Sequence, residues 1–145
     1  MKKRTIKHIM TTDVETVSPV STVKAAADRM STLNLSVLPV CQDRKIVGLV
    51  SDREMTVHIA AVGRDSGTTL VKDIMRTQIA TLPQDDDLKA AERLMKAMES
   101  HWVFVTDADR NLVGILSLGK IARTDNEKAA GDVVKNISRS RKRVG

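Results

Sequence analysis

The sequence predicts an α+β, sandwich-like protein made of two βαββα units in tandem, related by a pseudo-twofold axis. Three observations lead there. Residues 6–58 and 71–124 align with each other at a constant offset of 65, which becomes 66 after the middle of each copy. Identities at the first offset include Ile9/Ile74, Met10/Met75, Thr16/Thr81, Lys24/Lys89, Ala26/Ala91, Met30/Met95 and Val40/Val105; at the second they are Val47/Val113, Gly48/Gly114 and Ser51/Ser117. Within each copy one stretch of helical apolar spacing precedes two short β-branched runs joined by a polar turn, which is the pattern of a helix followed by a hairpin. Each copy alone is too small to bury much surface, so the two are expected to face each other, share one core and leave matched clefts at their seam.

The elements follow in order. Each copy opens with a short apolar turn, Ile6–Met10 and Val71–Met75. A brief extended piece comes next, Val14–Val17 and Ile79–Leu82, ended by Pro19 and Pro83, since β-branched residues favour a strand and proline stops one. A helix follows, capped by Ser21 or Thr22 in copy one and by one of Asp85, Asp86 and Asp87 in copy two. Its apolar face is Val23, Ala26, Ala27, Met30 and Leu33, then Leu88, Ala91, Leu94, Met95 and Met98. Two strands make a hairpin, Val37–Cys41 with Ile46–Ser51 and Trp102–Thr106 with Leu112–Ser117; the second turn is one residue longer, which accounts for the change of offset. Gly48 and Gly114 fall inside the last strand, where glycine marks a bulge or a close backbone approach. A second helix closes each copy, Asp52–Val62 and, shorter, Leu118–Arg123. The resulting division is 1–62 for the first repeat, 63–70 for a linker, 71–125 for the second repeat, and 126–145 for a terminal helix through Ala129, Val133, Val134 and Ile137 with a basic disordered tail.

Composition bounds the function. The 145 residues are 41% hydrophobic and 29% charged, as in a globular chain, and no run of about 18 apolar residues suggests a membrane span. The basic start Met1-Lys2-Lys3-Arg4 is not followed by an apolar segment, so no secretory signal is expected and the cytoplasm is the default. The net charge of +6 sits at the ends, on Lys2, Lys3, Arg4 and Lys7 and on Arg139, Arg141, Lys142 and Arg143. Setting those eight aside leaves 16 of the 24 Lys and Arg residues against 18 Asp and Glu. Nucleic-acid domains usually carry basic charge on the folded surface, so solvated tails are expected and nucleic acid is not; association through the tails is the alternative.

Catalytic and metal chemistry is not expected. His8, His58 and His101 have no metal-ligand spacing with one another or with Cys41, the single cysteine, which is expected to be a buried inert thiol. Ser51 has acidic neighbours but no histidine for a triad. Phosphate-binding glycine motifs are absent, and aromatics are 1% of the chain, too few for a single-strand stacking platform.

Three repeated motif pairs, KHIMTTDVETVSP with VKDIMRTQIATLP, SVLPV with SHWVFV, and IVGLVSDREM with LVGILSLGKI, resemble the cystathionine-β-synthase (CBS) domain family, as a tandem pair of the kind called a Bateman module and of the stand-alone bacterial type. The resemblance spans about residues 5–124. It implies a non-enzymatic regulatory sensor that needs no cofactor for catalysis, forms a homodimer, binds an adenine nucleotide (AMP, ADP, ATP or NAD) in the cleft between the two motifs, and acts on a regulated protein whose identity it does not give. The family's ribose site pairs a Ser or Thr at the end of the last strand with an Asp three residues on. The matching residues here are Ser51 with Glu54 and Ser117 with Lys120. Glu54 keeps a carboxylate on a longer stem, whereas lysine offers no acceptor, so the first site is the one expected to bind. Val37, Leu38 and Pro39, with Trp102, Val103 and Phe104, match the strand lining the base pocket, and Thr16 and Thr81 match the first-strand position near the base. Arg53 and Lys120 stand where a phosphate or plain solvent could meet them, and Trp102 could stack on a base or fill a core. The alternative function is a structural or protein-interaction module whose ligand sites have degenerated.

Overall fold

A computed structural model of the chain describes residues 5–124 together with 134, 135 and 137. Of the sequence expectations, the basic residues of both tails other than Lys7, and Ala129 and Val133 of the terminal helix, lie outside the described residues.

The chain divides into two compact units, and their boundaries are not those of the repeats. One unit is Glu15–Ile79; the other combines Met1–Val14 with Ala80–Gly145. We call these the first and second units. The opening segment of each repeat is therefore packed into the unit built from the other repeat.

In the first unit, α1 (Val23–Leu33) starts at Thr22, whose side chain accepts from the Ala25 N–H, and ends at Asn34 in the left-handed conformation. It buries Val23, Ala26 and Met30, one stripe at helical spacing. Strands β1 (Val37–Gln42) and β2 (Lys45–Ser51) form an antiparallel hairpin. The extended piece expected over Val14–Val17 is reduced to a single parallel bridge between Val17 and Val40, held by Val17 N–H to the Pro39 carbonyl and Cys41 N–H to the Val17 carbonyl, both at 3.0 Å. The second helix begins as α2 (Asp52–Met55) and widens to π geometry over Thr56–Ala61.

The second unit repeats this plan. Asp87 caps α3 (Leu88–Met98), accepting from the Ala90 N–H, and Glu99 ends it in the left-handed region. Here the extended piece is a true strand, β3 (Thr81–Pro83), parallel to β4 (Trp102–Thr106), which pairs antiparallel with β5 (Leu112–Ser117). Helix α4 (Leu118–Thr124) follows directly. Val134, Lys135 and Ile137 are helical, and Ile137 is buried.

Matched ladders hold the exchanged openings in place. The turn Val71–Asp73 of the second repeat donates from Val71 to the Ser21 carbonyl and from Lys72 to the Pro19 carbonyl, and Arg76 exchanges two backbone bonds of 2.9 Å with Leu49 on β2. The turn Ile6–His8 of the first repeat does the equivalent, Ile6 to Asp86, Lys7 to Gln84, and Thr11 with Ile115 on β5. The hairpin register slips beside the two glycines, which pair with Val40 and Val105. A Cβ at Gly48 would stand 2.8 Å from both the Arg76 oxygen and the Met75 sulfur, and one at Gly114 2.5 Å from the Met10 sulfur. The glycines are thus both beside a bulge and under a close approach.

The expectation of one shared core gives way to two clusters of buried side chains, one per unit. Val17, Val23, Ala26, Met30, Leu38, Val40, Val50, Val71 and Ile74 form the first. Ile6, Leu88, Ala91, Met95, Val103, Val105, Leu116, Leu118, Ile121 and Ile137 are the main members of the second. The physical reason is the exchange of openings: each three-residue turn delivers its buried apolar side chain, Val71 or Ile6, to complete a core that the other repeat leaves open.

Candidate functional site

The candidate positions lie at the join of the last strand and the second helix in each unit. Strand register brings the beginning of the first hairpin strand to the end of the second, pairing Val37 with Ser51 and Trp102 with Ser117. In both units a serine hydroxyl therefore sits beside the residue that opens the hairpin.

In the first unit this join is closed by the protein's own side chains. Ser51 and Glu54 form a capping box at the start of α2. Glu54 Oε1 accepts from the Ser51 N–H at 2.9 Å and from the Ser51 hydroxyl at 2.7 Å, and the same hydroxyl accepts from the Arg53 N–H at 3.3 Å. Glu54 Oε2 accepts from Arg76 Nη2 at 3.2 Å. Ser51 and Glu54 are both buried, while the Arg76 side chain is 43% exposed. A carboxylate out of water needs its oxygens satisfied, and here Ser51 and Arg76 do so. Arg53 is exposed, Thr16 is half-buried, and Arg29 donates to the Thr16 carbonyl at 2.8 Å while also pairing with Glu15. Val37, Leu38 and Pro39 are buried, with Leu38 in the unit's core.

In the second unit the same join is open. Ser117 Oγ accepts from the Lys120 N–H at 3.1 Å, and Lys120 itself is half-buried. Trp102 and Ser117 line a cavity of about 380 Å³ with His101, Leu118, Gly119, Ala122 and Val134. That size lies toward the small end of small-molecule sites, about 300–1,000 Å³. The His101 ring meets the Trp102 ring edge-on, centroids 6.0 Å apart, and both rings line this mainly apolar pocket. Val103 points into the core, Phe104 is fully buried, and Thr81 on β3 pairs with Phe104 but is itself exposed. Among the described residues no group of three or more His, Cys, Asp or Glu side chains is placed to hold a metal ion, and no helix is long and apolar enough to cross a membrane. The Cys41 thiol is pushed up by burial to about 11, so at neutral pH it is protonated and a weak nucleophile.

Of the residues singled out in the sequence, then, the structure brings together Ser51, Glu54 and the neighbouring Arg53 in one place and Trp102 with Ser117 in another. Sequence reasoning missed Arg76 and the His101, Leu118, Gly119, Ala122 and Val134 walls. One signal was available: Ser51-Asp52-Arg53-Glu54 has the S-x-x-E spacing of a capping box, which already commits the carboxylate to the helix start.

Two tandem units of this plan, each a helix, a hairpin and a closing helix, define a paired α+β module, and known proteins share it. A family model, the CBS domain, matches residues 6–61 and 71–127, and the chain belongs to the CBS domain family. It is similar to the CBS domain-containing protein YhcV of Bacillus subtilis, 34% identical over 134 residues, covering 92% of this chain and 94% of that protein. A conserved CBS domain protein of Thermoplasma acidophilum has the same fold, with TM-score 0.81 at 23% identity over 93% of this chain and 76% of that one. CBSX2 of Arabidopsis thaliana, solved in complex with AMP, matches with TM-score 0.71 at 26% identity, covering 82% of this chain and 93% of that one.

Proposed function

We propose that this chain is a non-enzymatic, cytoplasmic regulatory module that binds an adenine nucleotide (AMP, ADP, ATP or NAD), works as a homodimer and passes the binding event to a partner protein. The base is seated in the second unit, against Trp102. The single observation supporting this most strongly is the pocket in which Trp102 and Ser117, distant in sequence but paired across β4 and β5, form one wall. An indole face takes an adenine by stacking, contributing about 1–3 kcal/mol, and a serine hydroxyl serves a ribose oxygen. The AMP complex of CBSX2 supports the ligand class. Binding regulates only if the two arrangements of the module differ in affinity for the nucleotide.

Trp102 is the chain's one tryptophan, so its fluorescence reports the pocket directly. Titration with each of the four nucleotides should quench it saturably, and Trp102→Ala should weaken calorimetric binding by about tenfold or more, as loss of a stacked base requires. No change in fluorescence and no heat with any of the four would overturn the proposal.

A second reading, a structural or interaction module with degenerate sites, is favoured by one observation: the two ribose-acceptor positions hold a lysine in the second unit and an internally paired glutamate in the first. It predicts that Trp102→Ala changes stability and self-association but no nucleotide affinity.

A further inference from the structure

We propose that Arg76 is a latch that keeps the acceptor position of the first unit closed to a ribose diol. The inference rests on the nucleotide-binding reading above, because it concerns which of the chain's two equivalent positions can take the ligand.

The argument starts from the two oxygens of Glu54. Oε1 is held twice by Ser51, through its N–H and its hydroxyl. These bonds build the helix start and are local to four consecutive residues. Oε2 is the oxygen left over for anything arriving from outside, and the guanidinium of Arg76, 22 residues along the chain, holds it at 3.2 Å. A charged donor on a carboxylate makes a stronger bond than a neutral hydroxyl does. A diol must therefore displace Arg76 before it can use the carboxylate, and it replaces an ion pair with a bond from an uncharged donor.

The guanidinium is on an anchored segment. The Arg76 backbone exchanges two hydrogen bonds of 2.9 Å with Leu49 on β2, five residues before Glu54. The main chain fixes where the side chain starts, while the side chain itself is 43% exposed. The pair thus joins a buried carboxylate to a part-exposed guanidinium, a contact that a ligand can reach from the arginine side.

Comparison within the chain isolates the device. At the offsets of the repeat, Arg76 corresponds to Thr11 and Glu54 to Lys120. Thr11 makes the same two backbone bonds, to Ile115, but brings no charge. At these two positions the second unit has neither acid nor latch, and its serine lines the cavity with Trp102. The repeat has been kept in its backbone and made unlike at the two positions that decide access.

Calorimetry of the full chain with AMP tests this on wild type, Arg76→Ala, Arg76→Lys and the double variant Arg76→Ala/Glu54→Gln. The latch predicts about one AMP per wild-type chain and about two for Arg76→Ala, with the added event lost again in the double variant and absent from Arg76→Lys, because a ligand competing with an internal partner binds only to the extent that the competitor is removed. Binding by Arg76→Ala alone, with none by wild type, also supports the latch but overturns the Trp102 site. Equal stoichiometry in wild type and Arg76→Ala overturns the latch and leaves the nucleotide reading standing. An added event that survives Glu54→Gln overturns it as well. No binding by any of the four proteins overturns both. Should Arg76→Ala fail to fold, Arg76→Met carries the same expectations, since it keeps an unbranched apolar stem and the backbone bonds and removes both the charge and the donors.

Discussion

Gly48 and Arg76 are in such close approach that a methyl group at position 48 would lie 2.8 Å from the Arg76 carbonyl oxygen. The contact is how β2 accepts the opening segment of the second repeat: Leu49, the next residue, exchanges both of its backbone bonds with Arg76. Gly114 plays the same part for Met10 and Thr11 beside β5, where the nearest atom is a methionine sulfur at 2.5 Å and the carbonyl of Thr11 is at 3.1 Å.

The first prediction follows from what blocks each site. A methionine thioether can rotate away, whereas a hydrogen-bonded backbone carbonyl cannot yield without breaking its ladder. Gly48→Ala should therefore destabilise by about 1–3 kcal/mol, the usual cost of overpacking, and Gly114→Ala by less. Urea unfolding of the two variants checks the order; equal midpoints would show that the backbone approach is not what constrains position 48.

Arg44 gives a prediction of opposite sign. The first hairpin turns through Asp43 and Arg44, both at positive φ (51° and 69°), between the paired residues Gln42 and Lys45. A two-residue turn with both central residues left-handed is the type that favours Asn-Gly. Arginine there carries a left-handed penalty of about 1–2 kcal/mol that glycine avoids. Arg44→Gly should raise the denaturation midpoint by an amount matching about 1 kcal/mol, without changing the slope against denaturant. A lower midpoint would mean that the arginine side chain contributes more than its backbone costs.

These two cases mark what was legible in the sequence. Local chemistry was: the caps narrowed to Ser21 or Thr22 and to one of Asp85, Asp86 and Asp87, of which Thr22 and Asp87 serve, β4 and β5 to the residue, and the stripes of Val23, Ala26 and Met30 and of Leu88, Ala91 and Met95, although Leu33 and Met98, expected on the same faces, are exposed where each helix ends. Each depends on neighbours a few positions away. The repeat carried the fold class, since symmetry limits how two equal halves can be built. Gly48 and Gly114 announced a close approach but not the partner, because backbone proximity between distant segments leaves no periodic trace. The same limit hid Arg76 as the partner of Glu54. It also hid the exchange of Ile6 and Val71, since an isolated apolar residue in a short turn says it will be buried but not where. The first extended piece shrank to one bridge at Val17 although its residues suit a strand; the equivalent in the other repeat, Thr81–Pro83, forms three pairs with β4.

Cys41 supplies a prediction in pH. Burial raises its thiol from 9.0 to about 11. Below about pH 9 the thiol is protonated in folded and unfolded chains alike, so its contribution to stability is fully present. Between pH 9 and 11 the unfolded chain gives up its proton first, and stability falls as pH rises through the folded value. The difference in unfolding free energy between wild type and Cys41→Ala should be flat up to about pH 9 and then move against wild type. A difference that stays constant to pH 11 would show that the folded protein does not disfavour the thiolate. Alkylation by iodoacetamide at pH 7 should likewise be slow in the folded protein and rapid in urea.

Ile6 tests the exchange of openings. It belongs to the first repeat by sequence, yet it is fully buried in the second unit's core with Val103, Val105 and Leu116. Its counterpart Val71 belongs to the second repeat and is buried with Leu38, Val40 and Val50. Deleting such a side chain removes its transfer free energy and leaves a cavity, so Ile6→Ala should cost about 2–5 kcal/mol, and Val71→Ala less because fewer atoms are lost. Where the loss falls matters more than its size. Native-state hydrogen exchange reads openings segment by segment. In Ile6→Ala the amides of β4 and β5 should lose protection before those of β1 and β2, and in Val71→Ala the order should invert. If each substitution instead loosened the strands of its own repeat, the turns would belong to their sequence neighbours, and Arg76 would have no fixed anchor from which to reach Glu54.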